Sequence, residues 1–199
     1  MKADFPTKEA FEHAAWMLRC EVYAIEAIAK VEVGPLGAFY DDGTPTILYE
    51  RHQFHRLTMG KHVGKKVTIN GVEYDLSHPK GGGYGPSSVQ HKKLQAAENL
   101  NKDAARRACS WGLFQIMGFN HAKAGFPNLQ RFINAMFRDV DDHLRALVLF
   151  IRNDERLVDA VRDRNWASFA LHYNGSDYRA NDYDGKMARA YEALSVENK

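Results

Sequence analysis

Cysteine is nearly absent: Cys20 and Cys109 are the only two in 199 residues. Both lie in segments that read as helical, so a disulfide scaffold is excluded, buried free thiols are expected, and the fold must stand on packing. Long apolar runs are missing too. No stretch approaches the ~18 consecutive apolar residues of a membrane span, and the opening Met1-Lys2-Ala3-Asp4-Phe5-Pro6 has neither the apolar core nor the small-residue cleavage site of a secretory signal. Synthesis as a soluble cytoplasmic protein with no transmembrane segment is therefore expected. Charge of one sign is equally scarce. Lys and Arg number 27 against 25 Asp and Glu, a formal net charge of +2, which lacks the basic field of a general nucleic-acid binder. No repeat of fixed period and no low-complexity linker divides the chain. What is present, 45% hydrophobic and 12% aromatic residues, suffices for one domain over 1–199 with a real core.

Periodicity makes that domain mainly α with a small β part (α+β). After Pro6, residues 7–30 are rich in Ala, Glu, Leu and Ile and free of Gly and Pro, with Thr7 placed as an N-cap. One helix is expected there, ended close to Glu32 by Gly34-Pro35. The period then changes. Phe39-Tyr40 and Thr46-Ile47-Leu48-Tyr49-Glu50 flank the turn-forming segment Asp41 to Pro45 and read as a strand pair. Val67-Thr68-Ile69 and Val72-Glu73-Tyr74 flank Asn70-Gly71, the two-residue loop that favours a type I′ hairpin. A short helix is expected over 51–58 and a loop over 77–86, where Gly81-Gly82-Gly83 breaks any regular element. From Ser87, which with Gln90 reads as a capping box, helical patterns follow over 88–107, 111–118, 128–138, 140–153, 155–163, 165–172 and 184–195. The expectation is a helical body holding a β-rich flap at about 37–86.

Within the first helix Leu18, Val22, Ile25, Ala29 and Glu32 fall at steps of four, three, four and three, hence on one face. The last of them is an acid. Burial and the negative end of the helix macrodipole both oppose its ionisation. Together they raise its pKa from the ordinary ~4.3 toward the range in which a neutral carboxylic acid serves as a general acid. The plainer reading, a helix-edge carboxylate reaching water or an arginine, stays open from periodicity alone.

Two further segments set polar groups among apolar ones. In Ala108-Cys109-Ser110-Trp111-Gly112-Leu113-Phe114-Gln115-Ile116-Met117-Gly118, read as a Ser-capped short helix, Gln115 is an isolated amide that must find partners. Ala170-Leu171-His172-Tyr173-Asn174-Gly175 ends a helix with an aromatic and an amide, the groups sugar sites use for pyranose faces, hydroxyls and N-acetyl groups. A metal reading fares worse. His52 and His55 are three apart beside Glu50, but this is not His-Glu-x-x-His and Arg51 sets positive charge next to any cation, so no metal and no cofactor is expected. His52 is expected to fix the flap by hydrogen bonding. Trp16 and Trp111 sit in apolar helical patterns and are read as core, with Trp111 also able to wall a cleft. Arg152, Arg156, Arg162 and Arg164, interleaved with acids, read as a solvated face.

In that order, a Glu ending an early helix, Ser-Trp-Gly-Leu-Phe-Gln-Ile-Met and Tyr-Asn-Gly resemble the three-part signature of goose-type lysozymes and lytic transglycosylases. More closely, the chain resembles the phage N-acetylmuramidase endolysins over nearly its whole length. The stretches carrying this are Ala27 to Glu32, Gly43 to Phe54, Ser110 to Asn120, and Tyr173 to Gly175. A Ser often follows the family's Glu; Val33 stands there instead. The resemblance implies a lysozyme-like fold, Glu32 as catalytic acid, and Gln115 and Tyr173 lining the sugar cleft. Ser110, Trp111 and Asn174 join them as expected substrate-binding residues. It also implies peptidoglycan glycan strands as partner and action in the periplasm after release from the host cytoplasm. Many relatives carry a separate cell-wall-binding module; none is expected within this chain, and a monomer is expected.

Cleaving the β-1,4 bond between N-acetylmuramic acid and N-acetylglucosamine needs a proton for the leaving alkoxide, and an inverting enzyme needs a second carboxylate to activate water. Glu50, at a strand end in the flap, is favoured for that role over Asp41 and Asp42, against the alternative of a salt bridge to Arg51, Arg56 or another base. Two other readings remain open: a lytic transglycosylase (or antibacterial effector) giving a 1,6-anhydro product, and a cell-wall-binding protein with no activity.

Overall fold

The computed structural model describes residues 2–197. Its helices are α1 Lys8–Leu18, α2 Val22–Glu32, α3 Arg51–Leu57, α4 Gln90–Arg107, α5 Leu129–Arg138, α6 Val140–Arg152, α7 Glu155–Arg162, α8 Trp166–Asn174 and α9 Tyr183–Glu197. The strands are β1 Ile47–Tyr49, β2 Lys66–Ile69, β3 Val72–Asp75, β4 Cys109–Trp111 and β5 Ile116–Met117. The fold is mainly α with a small β part, as the sequence indicates.

The helical body is organised around α2. Ala24, Ile25, Ala27, Ile28 and Ala29 are all buried, the pattern of a helix enclosed rather than laid on a surface. Alanines let neighbours approach closely, and α2 packs against α1, α7 and α9. Thr7 caps α1 as expected, its hydroxyl oxygen accepting from Ala10 N at 3.2 Å. Its own N–H and hydroxyl both donate to Asp141 on α6, at 2.8 and 2.9 Å, which ties the two helices.

Several local expectations are corrected. The single helix over 7–30 is two, because Arg19 adopts the left-handed conformation (φ 55°) and the chain caps back onto Ala15 and Trp16. This is the usual stop signal of a helix carried by a residue other than glycine, so composition conceals it. Leu18 therefore lies on α1 and the rest of the stripe on α2. Cys20 sits in the break, half-buried, and Cys109 lies on a strand, buried; both are free thiols. Trp16 is not core: it is 74% exposed and stacks on His13. The capping box does not form either, since Ser87 opens a short 3-10 turn without a side-chain cap and the Gln90 amide is used elsewhere.

The strand pair expected around Asp41 to Pro45 reduces to one isolated bridge, Phe39 to Pro45. β1 pairs instead with β4, antiparallel and in register Ile47 to Trp111, and β4 with β5. The helix expected over 111–118 is thus a β-hairpin. Gly112 (φ 69°) and Gln115 (φ 48°) turn the backbone left-handed twice in four residues, and Trp111, Leu113, Phe114 and Ile116 are all buried, so no helical face separates inside from outside. The hairpin at Asn70-Gly71 forms as expected between β2 and β3, with φ of 52° and 79° at the two turn residues.

The β4–β5 turn is fastened from beneath by His143, which is 1% exposed. Its Nδ1 accepts from Leu113 N at 3.0 Å and its Nε2 donates to Met136 O at 2.8 Å, a pattern that requires the neutral ring. Leu113 O in turn accepts from Gly34 N at 3.1 Å, two residues beyond the end of α2. Burial pushes the His143 pKa below 6.5, so the folded protein binds fewer protons here than the unfolded chain. The stabilisation this provides is complete above about pH 6.5 and is lost as pH falls below it. The gap in denaturant midpoint between wild type and His143→Asn should therefore be larger at about pH 7.5 than at about pH 5.5. A Cβ on Gly112 would lie 2.8 Å from the His143 ring. Gly112→Ala should therefore cost about 2–4 kcal/mol, the sum of left-handed strain and overpacking, read as a lowered urea midpoint with an unchanged m-value.

Candidate active site

α2 ends at Glu32 because Val33 is extended (φ −62°, ψ 122°) and Gly34 is held by the β4–β5 turn. Opposite it, α8 ends at Asn174, where Gly175 (φ 91°) releases the chain. The Asn174 amide donates to both oxygens of Glu32, at 3.1 and 3.3 Å. Burial of the carboxyl raises its pKa from 4.5 to about 7, and the Asn174 hydrogen bond opposes this only partly. Glu32 remains partly exposed as a residue, as a group that must reach substrate has to be. The carbonyl oxygen of Asn174 is buried without a hydrogen-bond partner.

Tyr173, one residue earlier, is clamped by aromatic packing. Its ring stacks on Phe169 at 5.3 Å and meets Phe150 edge-on at 5.7 Å. Burial, then the Glu32 charge, then Tyr183 hold its phenol well above the usual range, which places the hydroxyl in the electrostatic neighbourhood of the acid.

Beyond Gly34 a cleft of about 270 Å³ opens, lined among others by Leu36, Ile47, Leu48, Gly85 and Gln115. Its walls are mostly apolar. Gln115 packs where Gly34 has no side chain, its Cγ 3.6 Å from that Cβ position. The Gln115 amide is already engaged: Oε1 accepts from Ser110 Oγ at 2.7 Å and Nε2 donates to Gly112 O at 2.8 Å. Ser110 lies behind Gln115 and is 5% exposed. Trp111 is 2% exposed, packs toward Phe137 and donates its indole N–H to Arg106 O, so it sits behind the sheet and not at the cleft. The structure thus joins Glu32 to Asn174, packs Gln115 against Gly34 with Ser110 behind it, and separates Trp111 from the cleft.

Along β1 the buried Ile47 and Tyr49 alternate with Leu48 and Glu50, which are half-buried. Leu48 lines the cleft, and Glu50 lies one strand repeat further on the same side, about 7 Å along the chain. The Glu50 side chain is 15% exposed, with Oε2 3.0 Å from His52 Nδ1. The pair is close but poorly aligned, for both atoms are buried with no hydrogen bond; distance marks it as an ion-pair geometry. Its partner is His52 and neither Arg51 nor Arg56, since Arg51 binds Asp75 at 3.0 Å and Arg56 binds Gln53 at 3.0 Å.

A family model described as N-acetylmuramidase matches residues 21–195. The chain belongs to the N-acetylmuramidase family. The crystal structure of the Burkholderia AP3 phage endolysin matches the whole chain and 74% of that endolysin, with a TM-score of 0.86 at 34% identity. A comparison with curated proteins finds no match. Family and neighbour make the protein a peptidoglycan hydrolase of the endolysin type, with a lysozyme-like fold. Among the described residues no helix is long and apolar enough to cross a membrane.

Sequence reading missed the cleft residues supplied by backbone turns, Leu36 and Gly85, and the buried face of α4. Gln90 and Lys93, three apart with Leu94 and Ala97, were the available signal: two polar residues on an apolar helical face.

A carboxyl whose folded pKa is raised stabilises fully below its unfolded value and loses that contribution as pH rises through the folded one. For Glu32 the window runs from 4.5 to about 7. Glu32→Gln should therefore be more stable than wild type at about pH 8, by up to about 3 kcal/mol, with the advantage gone near pH 4. Thermal or urea unfolding at the two pH values measures this.

Proposed function

We propose that the protein cleaves the β-1,4 bond between N-acetylmuramic acid and N-acetylglucosamine, with Glu32 protonating the leaving oxygen and Glu50 as the second carboxylate. The supporting observation is an acid that stays protonated up to about pH 7, two residues before Gly34, where an apolar cleft begins. As the glycosidic bond lengthens, charge develops at the sugar, and the departing oxygen takes the Glu32 proton. The Asn174 amide then stabilises the carboxylate left behind, through contacts already made to both oxygens. Glu50, on the cleft side of β1, accepts a proton from the attacking water. Tyr173 and Gln115 shape the sugar site, with Ser110 fixing the Gln115 amide. Acid, amide and cleft all come from one chain, which supports action as a monomer. The biological reading is an endolysin that reaches the periplasm from the host cytoplasm at lysis.

A second reading has the muramic acid 6-hydroxyl attack in place of water, giving an anhydro product. The pairing of Glu50 with His52, which competes with a base role, favours it.

Mass spectrometry of digested peptidoglycan separates the two. Reducing N-acetylmuramic ends are expected; anhydro ends would transfer the assignment to the transglycosylase, and reducing N-acetylglucosamine ends would refute the bond assignment. Glu32→Gln should lose roughly 10²–10⁴-fold in turnover while still binding sacculi. Wild-type activity should decline as pH rises past about 7, where Glu32 loses its proton. Retained turnover in Glu32→Gln would overturn the reading.

A further inference from the structure

The loop from Lys80 to Pro86 contains four glycines and by composition ought to be slack. It is instead held by three side chains. Arg51 donates to the carbonyls of Lys80 and Gly81, at 3.2 and 3.0 Å. Lys93 donates to those of Gly83 and Tyr84, both at 3.1 Å. Gln90 donates to Tyr84 O at 2.7 Å and to Pro86 O at 3.2 Å, while its Oε1 accepts from Tyr49 N at 3.0 Å, joining the loop to β1. Lys93 is fully buried, its ammonium also facing the Tyr49 and Tyr74 rings at 5.5 Å. An ammonium is expensive to bury, and here both of its hydrogen-bond acceptors are loop carbonyls.

The glycines make this route possible. Gly83 (φ 66°) passes so close to Arg51 that a Cβ would lie 2.6 Å from the guanidinium, and Gly85 (φ 70°) abuts the Tyr74 ring. What the loop delivers is Tyr84. The Tyr84 hydroxyl and His52 Nδ1 converge on Gly81, 3.7 and 3.6 Å from its Cβ position, and His52 Nδ1 is 3.0 Å from Glu50 Oε2. The hydroxyl also interacts directly with the Glu50 carboxylate, which raises the phenol's pKa alongside burial.

We propose that the loop of residues 80–86 is a clamp on Glu50, in which the Tyr84 hydroxyl fixes the direction of the carboxylate while Gln90 and Lys93 act as positioning residues through Tyr84. The clamp rests on the reading of Glu50 as the second carboxylate, and deepens it. A glutamate side chain has three free torsions; a phenol on one side and an imidazole on the other narrow its orientations, so water is met in a more restricted geometry. Misplacing a reacting group by about 1 Å costs on the order of 100-fold, which is the scale of effect available to such a clamp.

The test is peptidoglycan hydrolysis by wild type, Tyr84→Phe, Glu50→Gln, the double variant and Lys93→Met, followed as reducing ends over a pH series. Tyr84→Phe removes one oxygen from a half-exposed ring, so folding is retained and a melting curve verifies it. It should lower kcat roughly 10- to 100-fold with KM little changed. Added to Glu50→Gln it should change nothing further. Lys93→Met, where it folds, should reproduce the kcat loss with KM little changed. The clamp is refuted if Glu50→Gln loses turnover while Tyr84→Phe keeps wild-type kcat, or if the two losses multiply in the double variant. Full turnover in Glu50→Gln would remove the reading of Glu50 itself, and the clamp with it.

Discussion

Glu32 is placed where protein, and not water, must solvate its carboxyl, and that constraint accounts for much of what surrounds it. α2 is built of alanine and isoleucine because it is enclosed by α1, α7 and α9, and the enclosure is what disfavours the charge at its end. A neutral acid in such a place still needs a partner once it gives up its proton. Asn174 is already there, with both contacts formed, so little reorganisation accompanies the change of charge.

The second half of the site obeys different physics. Glu50 follows β1 directly, at the N-cap of α3, and its Oε2 lies 3.0 Å from His52 Nδ1. The nearby loop has no secondary structure to order it, and burying its carbonyls without donors would be costly. Gln90, Lys93 and Arg51 supply those donors from two helices. Glu32 is thus governed by burial, whereas the loop beside Glu50 is ordered by hydrogen bonds.

Much of this was legible from residue order. The step pattern ending in Glu32 placed a carboxyl on a buried helical face, and Tyr173-Asn174-Gly175 marked a helix end, although the contact of Asn174 with Glu32 needed three dimensions. Asn70-Gly71 announced its hairpin because the turn itself demands those residues. The misreadings share one cause. Arg19 in a left-handed conformation, the pairing of β1 with β4, and the hairpin in place of a helix at 111–118 are all decided by tertiary partners, which override local propensity. The same holds for Gln90, whose place three residues after Ser87 suggested a local cap while its amide serves a distant strand and loop. Trp16 fitted an apolar helical pattern on paper, yet α1 turns it outward.

The bond between Asn174 and Glu32 spans 142 residues of sequence. Translation delivers α2 long before α8 and α9 emerge to cover it. Until they dock, the side chain of Glu32 meets solvent and behaves as an ordinary, readily ionised carboxylate. The surroundings that raise the Glu32 pKa are thus missing from the growing polypeptide and completed by its final segments, so a fragment cut short before them carries an ordinary acid in that place.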